Sequence, residues 1–206
     1  MAIEKIEKTV FTSATGEEMA SEIAAWLTAN ASEFFDRIET ITDNGIHVYG
    51  FIDDVRAVDI NTGNSGAGSV SIKNGKYVAG NFWGTGWLYG IKTSKGIAVY
   101  HSGHYCIMVT KSNEGTVSLA TKDTSIYACA DFDKSSDFIK FNPPTKVSSS
   151  WVQSGKTVLA PVVNANALTY ADGIYLQVFS QYPNVDGIFT INGKQYYTDG
   201  VLALEE

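Results

Sequence analysis

The sequence predicts an α+β fold, mainly antiparallel β, with one N-terminal amphipathic helix. Three observations carry that expectation. A single helical period stands near the start of the chain. After Gly45, β-branched and aromatic runs recur about every ten residues. Gly- and Asn-Gly turn signals separate those runs. Such spacing suits an antiparallel sandwich or barrel, because βαβ units need a helix-length crossover between strands.

The elements follow in order. Residues 3–11 (IEKIEKTVF) read as a short exposed strand. Thr15-Gly-Glu-Glu18 matches a capping box, in which the Thr15 hydroxyl serves an orphan backbone N–H and Glu18 reaches back. Met19, Ile23, Trp26, Leu27, Phe34, Ile38 and Ile41 then repeat at intervals of three and four. That spacing predicts a helix over 16–41, with Asp43-Asn44-Gly45 as its stop. Strands are expected at 46–52, 55–60, 69–73, 76–79, 86–92, 97–101, 104–110, 116–121, 126–130 and 138–141. Asn74-Gly75 supplies a hairpin turn, and Lys95-Gly96 and Glu114-Gly115 further turns. Asn61–Gly68 reads as a flexible loop. Asn142-Pro143-Pro144 and Ser148–Ser150 interrupt the pattern. Strands resume at 157–163, 174–180, 187–191 and 194–197, with Asn192-Gly193 as another hairpin turn. The expected organisation is a strand and acidic helix (1–45), a β body (46–150) and C-terminal hairpins (151–206) packed with the body as one unit.

Charge limits the partners. Fifteen bases stand against 22 acids, a net charge of −7, and just two of the bases are arginine, Arg37 and Arg56. Neutralising phosphates needs clustered Lys and Arg, so neither nucleic acid nor an anionic membrane surface is an expected partner. The charge is positional: residues 1–45 hold nine acids and three bases, whereas 46–206 hold thirteen acids and twelve bases. The helix is therefore expected to turn its apolar face inward and its acidic face to solvent or a basic partner. No signal peptide and no apolar run of membrane-spanning length stands out, so synthesis in a cytosol is expected. Cys106 and Cys129, both in strand-like runs, are expected as buried free thiols.

Few residues suggest chemistry. His101, His104 and Cys106 form the one metal-like cluster, but zinc needs three or four ligands and no second pair completes the set; no metal or cofactor is expected. Asp53-Asp54 and Asp131/Asp133 are paired carboxylates of the kind a glycosidase places across a sugar bond. Asp131–Asp137 lacks the glycine and terminal glutamate of a calcium loop. Trp83, Trp87 and Tyr89 lie at even spacing and share a strand face, where they pack a core or stack on sugar. No nucleophile elbow or Cys–His pair stands out, so no catalytic residue is expected.

Gly173–Phe179, Gly187-Ile-Phe-Thr-Ile-Asn-Gly-Lys194 and Gln195-Tyr-Tyr-Thr-Asp-Gly-Val-Leu-Ala-Leu204 carry a resemblance. In these stretches the chain is similar to small virion structural proteins of tailed bacteriophages. The resemblance implies a non-enzymatic, oligomeric part of a head, neck or tail, located in the virion and contacting copies of itself and other virion proteins. Met19, Ile23, Trp26, Phe34, Tyr196 and Tyr197 are then candidate assembly contacts. One alternative is a carbohydrate- or receptor-binding β module using Trp83, Trp87 and Tyr89. Another is a hydrolase using the paired aspartates.

Overall fold

The computed structural model describes residues 2–11, 15–42, 44–63, 69–74, 78–83, 86–101, 105–122, 126–129, 132, 139–141, 158–164, 169–179 and 186–206; for 69–74, 78–83, 86, 139, 141, 158, 163, 164, 169, 178, 179 and 186 only the backbone path is given. Strand β1 (Glu4–Phe11) precedes helix α1 (Gly16–Ala31). Strands β2 (Arg37–Thr42), β3 (Ile46–Ile52), β4 (Val55–Gly63), β5 (Ser69–Asn74) and β6 (Val78–Trp83) form an antiparallel meander. A second meander runs through β7 (Gly86–Lys92), β8 (Gly96–His101), β9 (Tyr105–Lys111), β10 (Val117–Lys122), β11 (Ile126–Cys129) and β12 (Ile139–Phe141). β1 joins it beside β7, completing a seven-stranded sheet. The last sheet comprises β13 (Val158–Asn164), β14 (Thr169–Phe179), β15 (Asp186–Ile191), β16 (Lys194–Asp199) and β17 (Leu202–Glu205), in the order β13-β14-β17-β16-β15. The fold is thus mainly antiparallel β with one N-terminal helix, as the sequence predicts.

The seven-stranded sheet is the middle layer of a sandwich. Its strands alternate between two cores. Leu88, Ile97, Val99, Ile107, Val109 and Leu119 face one side, where they meet α1 and the first meander. Ala98, Tyr100, Cys106, Met108, Ala120 and Ala128 face the other, where they meet Ile174, Tyr197, Leu202 and Leu204 of the C-terminal sheet. Burial on both faces explains why β8 and β9 read as nearly unbroken apolar runs and not as alternating ones. The two cysteines are buried on opposite faces: Cys106 looks toward the C-terminal sheet and Cys129 into the core shared with α1 and the first meander.

Helix α1 starts where the capping box places it. Thr15 has extended backbone, and its Oγ1 accepts a hydrogen bond from the Glu18 N–H at 3.2 Å; such a cap is worth about 1 kcal/mol. Met19, Ile23, Trp26 and Leu27 point inward while Glu17, Glu18 and Glu22 stay in solvent. Each fully buried apolar side chain of this size contributes roughly 1.5–3 kcal/mol. Gly90 makes room for Ile6 of β1 beside the Trp26 ring: a Cβ there would stand 2.8 Å from Ile6 Cδ1, while Trp26 Cη2, at 3.4 Å, would be in ordinary contact.

The helix ends ten residues earlier than its apolar spacing predicts. Residues 37–42 (RIETIT) are strand β2, paired with β3 from Arg37↔Phe51 to Thr42↔Ile46. Ile38 and Ile41 satisfy the helical period, yet two isoleucines and two threonines within six residues favour strand, and the turn at Asn44 (φ 50°) and Gly45 (φ 140°) returns the chain to pair with its neighbour. Cross-strand pairing outcompetes a weak helical preference. The expected loop at 61–68 is also shortened, because β4 continues through Gly63; 64–68 lie outside the described residues. The passage from the body to the C-terminal sheet falls between β12 and β13, at the Pro- and Ser-rich stretch, while residues 46–150 divide between two sheets.

Candidate functional site

The C-terminal sheet holds the segments that carry the resemblance, and two ion-pair clusters fasten it to the body. Asp199 closes the β16–β17 turn: its Oδ1 accepts hydrogen bonds from the Val201 and Leu202 N–H groups, both at 2.9 Å, and Gly200 takes φ 88°. Its Oδ2 meets Lys122 Nζ at the end of β10, at 2.5 Å, with both side chains about nine-tenths buried. The second cluster centres on Glu205. Its carboxylate accepts from the Tyr175 hydroxyl at 2.7 Å, Lys194 Nζ at 2.8 Å and Lys95 Nζ at 3.0 Å. Burial pushes the Glu205 carboxyl up, but the bonds from Lys194, Tyr175 and Lys95 outweigh it and hold the group below the usual carboxylate range. Lys95 sits in the β7–β8 turn and also reaches Asp172 at 3.4 Å, so one lysine of the body bridges two acids of the C-terminal sheet.

Around Glu205 the outward face of this sheet is aromatic. Tyr196 lies between Phe189 and Tyr175, with ring centroids 5.6 Å apart on each side. Tyr196 and Tyr197, neighbours in sequence, project to opposite faces as strand geometry requires. Tyr197 turns into the core against Tyr100, 6.2 Å centroid to centroid. The β15–β16 hairpin closes through Asn192 (φ 51°) and Gly193 (φ 80°), the left-handed pair of a type I′ turn. Its outer strand carries Ile188, 57% exposed.

The other residues singled out by sequence fall as follows. Met19, Ile23, Trp26 and Phe34 are buried in the core between the helix and the sheets. Trp87 and Tyr89 share one face of β7, as their spacing predicts, and stack at 5.7 Å; Tyr89 in turn stacks on buried Tyr100 at 4.7 Å. Lys8 Nζ lies 4.3 Å over the Trp87 ring. Trp83 does not join Trp87 and Tyr89: it ends β6 of the first meander, whereas β7 belongs to the central sheet, so the three residues do not share one strand face; the side chain of Trp83 itself lies outside the described residues. Asp53 and Asp54 form the two-residue β3–β4 turn, at φ 48° and 60°. Asp54 accepts from Arg37 Nη1 at 2.9 Å, and the Asp53 N–H donates to Asp36 at 2.7 Å. Asp131, Asp133 and His104 lie outside the described residues. His101 and Cys106 occupy opposite faces of the central sheet, and no group of three metal-ligating side chains forms among the described residues.

Sequence reasoning missed the outer face of the first meander. Both arginines lie there over aromatic rings, Arg37 over Phe51 at 4.2 Å and Arg56 over Tyr49 at 4.9 Å. Beside them, buried His47 Nδ1 stands 2.7 Å from Asp59 Oδ1, and Asn61 Nδ2 stands 3.2 Å from His47 Nε2. An imidazole with its hydrogen on Nδ1 satisfies both contacts, donating to Asp59 and accepting from Asn61. The scarcity of arginine was the available signal: two such residues in 206 concentrate on one sheet face.

His101 gives a pH prediction. Burial lowers its pKa from the usual 6.5 to about 4. Between those values the unfolded chain holds a proton that the folded chain refuses, so stability is complete above about pH 6.5 and declines as pH falls toward 4. One such site contributes a slope of at most about 1.4 kcal/mol per pH unit. Urea melts of the wild type and His101→Gln across this window measure it: the wild type is expected to lose more stability on acidification than the variant. Equal losses would contradict the assignment.

Compared with family models, with curated proteins and with solved structures, the chain gives no match. Among the described residues, no helix is long and apolar enough to cross a membrane.

Proposed function

We infer that this chain is a non-enzymatic, self-associating structural component of a tailed-bacteriophage virion. One observation carries the self-associating part. The exposed large apolar residues of the described surface are Val10, Tyr170 and Ile188, and two of them stand on sheet edges, Val10 on β1 and Ile188 on β15. A free edge with an exposed apolar side chain is where another strand adds, because backbone hydrogen bonds and apolar burial are gained together. The virion assignment rests on the resemblance in residues 173–204, most of which form β14 to β17. Copies of itself and other virion proteins are the partners this reading names.

The carbohydrate-binding alternative has less support. Tyr89 is enclosed between Trp87 and Tyr100, and Trp87 already carries Lys8 over its ring. Mass spectrometry of gradient-purified phage particles tests the virion assignment. The chain is expected in the particle fraction at many copies per particle. Recovery from the particle-free lysate alone would overturn it.

A further inference from the structure

The sheet edges are not guarded alike. Natural proteins protect an open edge with charge, proline or short length. β1 carries Glu4, Lys5, Glu7 and Lys8, β2 carries Arg37 and Glu39, β13 carries Pro161, and β12 is three residues long. β6 lacks such guards but lies over β9 and β10 of the central sheet. β15 reads Asp-Gly-Ile-Phe-Thr-Ile, with one charge at its first position and Ile188 exposed near its centre.

The hairpin determines which backbone groups β15 offers. A two-residue turn makes Ile191↔Lys194 a hydrogen-bonded pair, so by alternation Phe189 and Gly187 also bond to β16. Asp186, Ile188 and Thr190 therefore turn their N–H and C=O groups outward. We propose that β15 pairs with β15 of a second copy, antiparallel about a two-fold axis through Ile188, joining two five-stranded sheets into one of ten. This rests on the self-association reading above and specifies its surface.

The occupant follows from the strand's complementarity to itself. In this register Ile188 meets its own counterpart, Asp186 stands opposite Thr190, and Gly187 stands opposite Phe189. Apolar meets apolar, no like charges are opposed along the strand, and the aromatic ring covers a glycine. There is room for that ring, since a Cβ at Gly187 would meet nothing within 4 Å. Each half of the strand supplies what the other half needs, as an isologous interface requires.

Ile188→Cys and Ile188→Lys test the pairing. Cys106 and Cys129 are buried, so the new thiol is the accessible one. Residues opposed in a hydrogen-bonded antiparallel pair lie about 5.5 Å apart at Cα, within disulfide reach. Mild oxidation of Ile188→Cys is expected to give a covalent dimer. Ile188→Lys is expected to weaken association at least tenfold while leaving the melting temperature unchanged at concentrations low enough for the wild type to be monomeric, because the side chain is exposed there. If the wild type associates but Ile188→Cys does not cross-link and Ile188→Lys associates equally well, the edge pairing is overturned and self-association through another surface stands. If the wild type stays monomeric at several hundred micromolar, both fall.

Discussion

Asp199→Ala is expected to destabilise the fold by about 3–5 kcal/mol. Two effects combine. The change leaves the Lys122 ammonium buried without its carboxylate, and it removes the acceptor that holds the Val201 and Leu202 N–H groups in the β16–β17 turn. A loss of that size lowers the melting temperature by roughly 10 °C in a protein of this length. Asp199→Asn with Lys122→Met removes both charges and keeps the turn acceptor, so the double variant is expected to recover most of the loss. A buried pair is costly to break but cheap to replace as a whole. Denaturant melts of Asp199→Ala, of Asp199→Asn and Lys122→Met singly, and of the Asp199→Asn/Lys122→Met double variant give the loss and the coupling. A single-variant loss below about 1 kcal/mol, or strict additivity, would show that the pair does not fasten the C-terminal sheet.

Trp26→Ala is expected to cost about 3–5 kcal/mol, the range for truncating a large buried aromatic. Its ring lies against Gly90 in the core between the helix and the central sheet. Because Trp26 faces the chain's own interior, the folded fraction of the variant is expected to associate as the wild type does. A variant of unchanged stability that has lost association would instead place Trp26 on an assembly surface. Thermal melts paired with light scattering separate the two results.

Local signals were legible in the sequence to the extent that local forces decide the structure. The start of α1 was readable because a cap is a contact over three residues, Thr15 to Glu18. The Asn192-Gly193 hairpin was readable because a type I′ turn demands left-handed backbone at two adjacent positions. The end of α1 was not readable, since the winning interaction is pairing of 37–42 with 46–52 and the helical period continued by coincidence. The division of the β region into two sheets was equally hidden. The fastening of the C-terminal sheet was out of reach for the same reason: Lys122 and Asp199 are 77 positions apart, as are Lys95 and Asp172. In sequence these are four ordinary surface charges. Even spacing correctly set Trp87 and Tyr89 on one face but wrongly joined Trp83 to them, because a change of sheet falls between β6 and β7. It did not say which face the protein itself would cover, because that depends on which layer packs there.

The acidic start of the chain has a plain structural reading. Glu17, Glu18 and Glu22 line the solvent face of α1 while its apolar face fills the core, so this acidic helix is not the surface on which copies would meet. In the proposed self-association, the sheet edges carry the contacts. Sedimentation equilibrium of the wild-type chain, from about one to several hundred micromolar, tests this most directly. The mass is expected to rise with concentration to at least twice that of the chain, and the Ile188→Lys variant to shift toward the monomer. A mass that stays at 22.3 kDa throughout would contradict it.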